Sequence, residues 1–565
     1  MAKEKFHQSI IRGGLLGFLF LLLFLCLPLR VYSQAPDLIL HNGNIITLED
    51  NLKDISAVAV RERKIVTLGA DELILKLAGP GTKIIDLKKR VVIPGFIDTH
   101  IHIISGGLGM KRVQLGETTS ISELQEAVKA YIQESRIPPG EWVIASSDWY
   151  VNQLKENRFP TRWELDKVSP RNPVFLPRGA HQSASNSLAL KLAGITKDSS
   201  APKGGEIVKD PKTGEPTGTL VDTAQEPIRN LLPKEDEAES LEALRRVQDL
   251  AHSLGITSLV EGAATLSEWQ IMERFKKSGG LKIRIAARLR AGNKADFLKI
   301  NKALSPRVGD EWLRTGPIKI ILDGGSTGAL FSQPYVDKPG FYGVQVTSTE
   351  DFKEISELAN QNDWRVSIHC NGDKAFDILL SAWEEINKKK SIVGKRWTVE
   401  HGKNIRPEQI PRVKALGLLV TIQAAPYVKG ETYLTNFGRE RADASSPTRD
   451  YMNNGIVLAG GSDWLTNPLN PFLHIYFAAA RKTKAGNILG ARQAMTPLEA
   501  LAMHTKYGAY VTFEENMKGT LAPGKLADMA VLSQNPLTVT TGEIKDTRVL
   551  MTLVGGEVVY KSNDF

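Results

Sequence analysis

The sequence predicts an α/β chain, a TIM-type (β/α)8 barrel carrying a small composite β-sandwich domain built from both ends of the chain. Two observations predict it. Strand-like apolar runs alternate with amphipathic helical stretches through the centre, the pattern of parallel βα units. Short strands broken by turn residues occupy both ends, and eight central runs are the number a closed barrel needs. Composition agrees: 565 residues, 42% hydrophobic and 24% charged, are ordinary for a globular chain with a large core.

Taken in order, residues 1–33 come first, with Lys3, Lys5, Arg12 and Arg30 against Glu4 supplying +3 of the formal +9 net charge. Residues 13–29 are uncharged and rich in Leu and Phe, and Val31-Tyr32-Ser33 precedes Gln34 as a small-residue cleavage site would. This is the layout of a secretory signal peptide. Seventeen residues also sit at the short end of what spans a membrane, so an uncleaved N-terminal anchor is the alternative. Either reading places the mature chain in the secretory pathway, periplasmic or extracellular. Any membrane association runs through this segment alone.

Residues 36–92 read as the first part of the sandwich, with short strands at 38–40, 45–48, 57–60, 64–68 and 83–86. Residues 93–491 read as the barrel, and its candidate strands are 91–93, 257–260, 282–289, 318–322, 366–369, 398–400, 418–422 and 456–459. The long gap after the first of these predicts an insertion near 107–240, including a hairpin over 204–215. Residues 492–562 supply a last helix and the second part of the sandwich.

Charge and cysteine content exclude several function classes. Beyond Lys388 to Lys390 there is no dense basic run, which argues against nucleic acid as a partner. The two cysteines, Cys26 and Cys370, allow neither a disulfide scaffold nor a cysteine zinc cluster.

The residues that carry chemistry cluster at strand ends. His100-Ile101-His102 follows the run at 91–98, and residues two apart on an extended chain point to one side, so both imidazoles can converge on one ion. His369 ends Arg365-Val-Ser-Ile-His, His401 ends Trp397-Thr-Val-Glu-His, and Asp463 follows Val457-Leu-Ala-Gly-Gly-Ser. In a barrel these ends share the face where active sites assemble. Lys319 is a lone charge in the strand 316–322, and a buried ammonium is costly unless paired. It either pairs with Asp323 or another carboxylate, or reacts with CO2 to give an anionic carbamate; Asp323 is a secondary candidate ligand.

Pro94-Gly-Phe-Ile-Asp-Thr-His100-Ile-His102, Lys319, His369, His401, Asp463 and Lys518-Gly-Thr-Leu-Ala-Pro-Gly-Lys-Leu-Ala-Asp528 together resemble the metal-dependent amidohydrolase superfamily, in its amidohydrolase 3 (YtcJ-like) branch. The resemblance covers the chain after residue 35 and implies a zinc-dependent hydrolase of a non-peptide amide, N-formyl or N-acyl bond that uses a metal-bridging hydroxide. It implies His100, His102 and Asp463 on a first zinc, His369 and His401 on a second, carbamylated Lys319 between them, and Asp463 as the catalytic base and acid. His181, Asn186 and Trp149 are implied as substrate contacts. Ser146-Ser147-Asp148, Thr398 and Leu465 depart from the branch's common pattern at positions outside the ligand set. The expected partner is a small-molecule amide, and a homodimer is the one assembly allowed for. The alternatives are a deaminase or cyclic-amide hydrolase on this scaffold, or a non-catalytic signalling or binding factor.

Overall fold

The computed structural model describes residues 35–565 apart from 180–181, 203–204, 234–235 and 326. The N-terminal segment 1–33 lies outside the described residues, as does His181. Among the described residues no helix is long and apolar enough to cross a membrane.

Eight parallel strands form the barrel: Phe96–Ile101, Ile256–Ala264, Arg284–Arg290, Leu313–Ile321, Val366–Cys370, Thr398–His401, Leu419–Ile422 and Leu458–Gly460. They neighbour one another in sequence order, each pair parallel. Almost every residue in them is buried on both faces, which is why they read as continuous apolar runs. The seam between first and last strands is closed by a few bonds: Thr99 Oγ1 donates to Gly460 O (2.9 Å), and the Asp463 N–H donates to His100 O (2.6 Å). The crossover helices turn one apolar face inward; Asp373–Lys389 buries Phe376, Leu379, Leu380, Trp383 and Ile386 at three- and four-residue spacing.

One expected barrel strand belongs elsewhere. Residues 91–93 lie in the strand Val91–Pro94, which pairs antiparallel with Met529–Leu532 in the sandwich, and the barrel begins at Phe96. Gly95 separates the two strands. A Cβ there would fall 2.3 Å from Thr257 Oγ1, so only glycine lets the chain pass this close to the second barrel strand.

The sandwich has a four-stranded sheet from residues 38–86 and a five-stranded sheet that joins Asn44–Ile45 and Val91–Pro94 to Met529–Leu532, Val549–Val554 and Glu557–Lys561. Leu40, Val58 and Val60 from one end of the chain share its core with Met529, Val531 and Leu553 from the other. Between the first two barrel strands the insertion builds its own five-stranded sheet, in which Gly205–Lys209 and Pro216–Asp222 form the hairpin.

Barrel and sandwich are joined by a buried ion pair. Arg284, at the start of the third barrel strand, donates from Nε (2.7 Å) and Nη2 (2.9 Å) to Asp528, and its guanidinium lies 4.6 Å from the Trp312 ring centroid. Asp528 also accepts the Gly555 N–H at 2.8 Å. Breaking one side of such a pair leaves a buried charge alone, so Arg284→Met is expected to cost about 3–5 kcal/mol. Urea unfolding should show it as a lowered midpoint, and the double change Arg284→Met with Asp528→Leu should recover most of the loss.

Candidate metal centre

The C-terminal ends of the strands bring six of the singled-out residues to one place. His100 and His102 leave the first strand, Lys319 lies in the fourth, His369 and His401 end the fifth and sixth, and Asp463 follows the eighth. Ring centroids are 5.4 Å apart for His100 and His102, 4.9 Å for His100 and His401, and 4.3 Å for His369 and His401. Asp463 Oδ1 stands 3.7 Å from His100 Nε2 and 3.6 Å from His102 Nε2. These three offer ligand atoms that all lie within 4.8 Å of one another, close enough to share one ion.

Each imidazole has one ring nitrogen already engaged. His100 Nδ1 meets Glu400 Oε2 at 2.5 Å, and His401 Nδ1 meets Gln423 Oε1 at 2.6 Å. His102 Nδ1 lies 3.5 Å from Glu261 Oε1. His369 Nε2 lies 3.3 Å from Gly324 O, an acceptor for its N–H. What remains is Nε2 on His100, His102 and His401, and Nδ1 on His369. A histidine held by an outer carboxylate, amide or carbonyl, with its other nitrogen left over, is how ligating imidazoles are set.

The electrostatics agree. Burial pushes His100 down to about 4 and holds His369 and His401 well below the usual imidazole range, so all three are neutral near pH 7 and keep a lone pair. Burial would lower His102 too, but the Glu261 carboxylate outweighs it and raises the ring. Burial would raise Asp463, yet His100, His102, Lys429 and Lys403 hold it below the ordinary carboxylate value. His401 (φ 73°) and Asp463 (φ 56°) both adopt left-handed backbone, a strain of about 1–3 kcal/mol each for residues with a Cβ.

Lys319 is the orphan of the site. It is 2% exposed, its Nζ has no hydrogen-bond partner, and burial pushes its ammonium down to about 8. Asp323 is not its partner: that carboxylate is consumed by the N–H groups of Leu330 (3.0 Å), Asn371 (3.0 Å) and Gly372 (2.9 Å), where it orders two loops. Three neutral imidazoles, a fourth raised by Glu261, one ionised carboxylate and one buried amine without a hydrogen bond suit a metal centre, and imidazole with carboxylate is a donor set matched to zinc and similar divalent ions.

Two of the expected substrate contacts are placed elsewhere. Asn186 caps the helix Ser187–Leu192 by accepting the Ala189 N–H and also bonds Val174, Ser169 and Asn172, so its amide is spent on the insertion's own scaffold. Trp149 is fully buried in the insertion's core, its Nε1 donating to Pro177 O at 2.9 Å. Cys370 is buried and its thiol is pushed up by burial, in line with packing. The residues that sequence reasoning missed are Glu400, Arg288, Glu261 and Gln423. Glu400 and Glu261 are lone carboxylates in apolar strands, the same signal that singled out Lys319, whereas Arg288 is one of three arginines in its strand.

With this geometry in place, comparison with known proteins is specific. The amidohydrolase family profile matches residues 83–560. The chain is 30% identical over 546 residues to Protein LONG AFTER FAR-RED 3 of Arabidopsis thaliana, covering 93% of this chain and 92% of that one. It is 27% identical over 544 residues to N-substituted formamide deformylase of Arthrobacter pascens, covering 94% and 99%. An uncharacterized metal-dependent hydrolase from Pyrococcus horikoshii superposes with a TM-score of 0.71 at 25% identity, covering 89% of this chain and 99% of that one.

Gln423 gives the clearest test of the outer shell, because its Nε2 is buried without a partner and its only role at the site is to hold His401. Gln423→Leu is expected to weaken metal binding by about 10–100-fold in a chelator competition. The unfolding midpoint of the metal-free protein should barely move.

Proposed function

The chain belongs to the amidohydrolase family and is a metal-dependent hydrolase acting on carbon–nitrogen bonds other than peptide bonds; from that premise we propose a binuclear zinc enzyme that cleaves an amide, N-formyl or N-acyl bond. The observation that carries the reading is the set of four imidazoles, each with one ring nitrogen engaged, facing Asp463 and a buried lysine without a partner. His100, His102 and Asp463 would hold one ion, His369 and His401 the other. Bound zinc would supply an acidified water and polarise the scissile carbonyl. The Arthrobacter relative, by its name, deformylates N-substituted formamides, which supports an N-formyl or N-acyl substrate here.

Lys319 fits this reading as a carbamate. Its neutral amine would add to the carbon of CO2, the N–C bond forming as one C=O π pair moves onto oxygen and the N–H proton passes to water, and the resulting carbamate anion could serve as a metal ligand. Burial lowers the ammonium and so favours the neutral amine that reacts, and bound cations would offset the carbamate's charge. Asp463 is the proton carrier. Its carboxylate is held ionised, and its Oδ2 accepts from Thr466 Oγ1 at 3.0 Å, which fixes the group while it accepts a proton from the attacking water and returns it to the leaving nitrogen.

Three outcomes are expected. The purified protein reconstituted with zinc should hold about two ions per chain by atomic absorption, and His369→Ala should lose about one. Lys319→Ala should be nearly inactive and partly restored by acetate or propionate, whereas Lys319→Arg should stay inactive; an active arginine variant would show an ordinary cation at this position. Asp463→Asn should lower the turnover rate by at least about 10²–10⁴-fold. Near wild-type hydrolysis by that variant with two ions bound would sink the proposed proton path.

A further inference from the structure

The barrel mouth carries cations that the metal centre does not use. Lys429, on the helix Ala425–Ala444 that follows the seventh barrel strand, is 8% exposed, and Lys403, two residues after His401, is 3% exposed. Arg178 ends the insertion strand Val174–Arg178. The Tyr150 ring joins two of them: Lys429 Nζ and the Arg178 guanidinium each lie 5.7 Å from its centroid. The Tyr150 hydroxyl donates to Thr466 O, and Thr466 Oγ1 donates to Asp463 Oδ2, so the group is tied to the proton-carrying carboxylate.

These cations lack anions. Among the described residues no carboxylate forms an ion pair with Lys403, Lys429 or Arg178. Among the described residues Arg178 donates to Gln182 Oε1 at 3.3 Å, and its Nε is buried without a partner. Asp148 is taken by the N–H groups of Leu115 and Gly116 and by the Ser146 hydroxyl, and Asp323 is bonded to three N–H groups. Asp463 is the one carboxylate that acts on Lys429, and its pull is smaller than the opposing effects of burial and Lys403. The cost shows on Lys429, which burial and then Lys403 push down to about 7. Metal ions would add positive charge, so the missing anion has to arrive with the substrate. An arginine fork with two lysine point charges matches a carboxylate, and a doubly charged phosphoryl group would meet more repulsion from Asp463.

We propose that Lys429, Lys403 and Arg178 form a subsite for a carboxylate carried by the substrate, so that the bond hydrolysed belongs to an acid such as an N-acyl or N-formyl amino acid and not to a neutral amide. The proposal rests on the hydrolase reading above and narrows it. In such a compound the carboxylate is only a few bonds from the scissile carbonyl, and the subsite lies beside the group that moves the proton.

The test separates binding from turnover. N-formylphenylalanine and its uncharged carboxamide are titrated by calorimetry into the metal-stripped full-length protein, where no hydrolysis interferes. The acid should bind at least about tenfold more tightly, as charge-assisted hydrogen bonds would give. Lys429→Met and Arg178→Gln should each remove most of that preference, and Lys429→Arg should keep it. Circular dichroism melts confirm that the variants are folded. In the zinc-loaded protein the Met and Gln variants should raise KM for the acid several-fold more than KM for the carboxamide. Equal binding of acid and carboxamide by the wild type, or an undiminished preference in both variants, overturns the subsite. So does tighter binding of the matching aminophosphonate. A zinc-loaded protein that prefers the acid but hydrolyses neither compound keeps the subsite and removes the hydrolase reading. An active enzyme indifferent to the charge does the reverse.

Discussion

A single carboxylate at the centre of the barrel fixes most of what surrounds it. Glu400 has no exposed surface, yet it is held ionised well below the carboxylate range: burial would raise it, and Arg288, Lys319 and His100 overcome that. Arg288 lies 2.7 Å away, Thr421 Oγ1 donates at 2.6 Å, the Ser367 hydroxyl donates as well, and His100 Nδ1 completes the set. Those partners sit on the first, third, fifth and seventh strands, and Glu400 itself is on the sixth. A buried charge is tolerable only when its partners are all in place. Any slip in strand register would strand the carboxylate, so the need to satisfy it pins the strand ends against one another.

The metal centre inherits that constraint. Arg288 also donates to Thr99 O at 2.7 Å, which fixes the backbone just before His100, and the Asp463 N–H closes the seam on His100 O. His100 is therefore located by its ring through Glu400 and by its backbone through Asp463. The left-handed backbone of His401 and Asp463 turns two strand ends so that their side chains face the same volume. Ligand positions held by a network are what a site needs when its ions tolerate little error in donor placement.

The sequence made the barrel visible because its strands are buried on both faces and read as apolar runs. It failed at the first strand for the same reason. Residues 91–97 form one apolar stretch interrupted by Pro94 and Gly95, and nothing in it tells a sandwich strand from a barrel strand; the distinction is made by pairing partners more than 150 residues away, Thr257 and Met529. At the site, the histidines and Asp463 were legible because each follows an apolar run at the end that faces the active side. Glu400 was overlooked although it precedes His401, since its role depends on His100, 300 positions earlier. Asn186 and Trp149 were implied by the family resemblance, but a short polar side chain at a helix start is drawn to the free N–H groups there, and Asn186 obeys that pull.

Ion pairs brace the strand starts, while the strand ends carry the groups that await a ligand. On the face of the strand starts, Arg284 meets Asp528, Arg396 meets Glu515 and Lys518 meets Glu514, each within hydrogen-bonding distance. On the face of the strand ends lie strained backbone at two residues, an amine without a partner, and cations without carboxylates. Unpaired buried charge is destabilising, and so is left-handed backbone at a residue with a Cβ. In the proposed enzyme the costs at the strand ends would be relieved by what binds there: ions for the imidazoles and Asp463, CO2 for Lys319, and an anionic substrate for Lys403, Lys429 and Arg178. Stability gained in the packed core and in the paired face makes those costs bearable, which leaves the free energy of binding available to order the reacting groups.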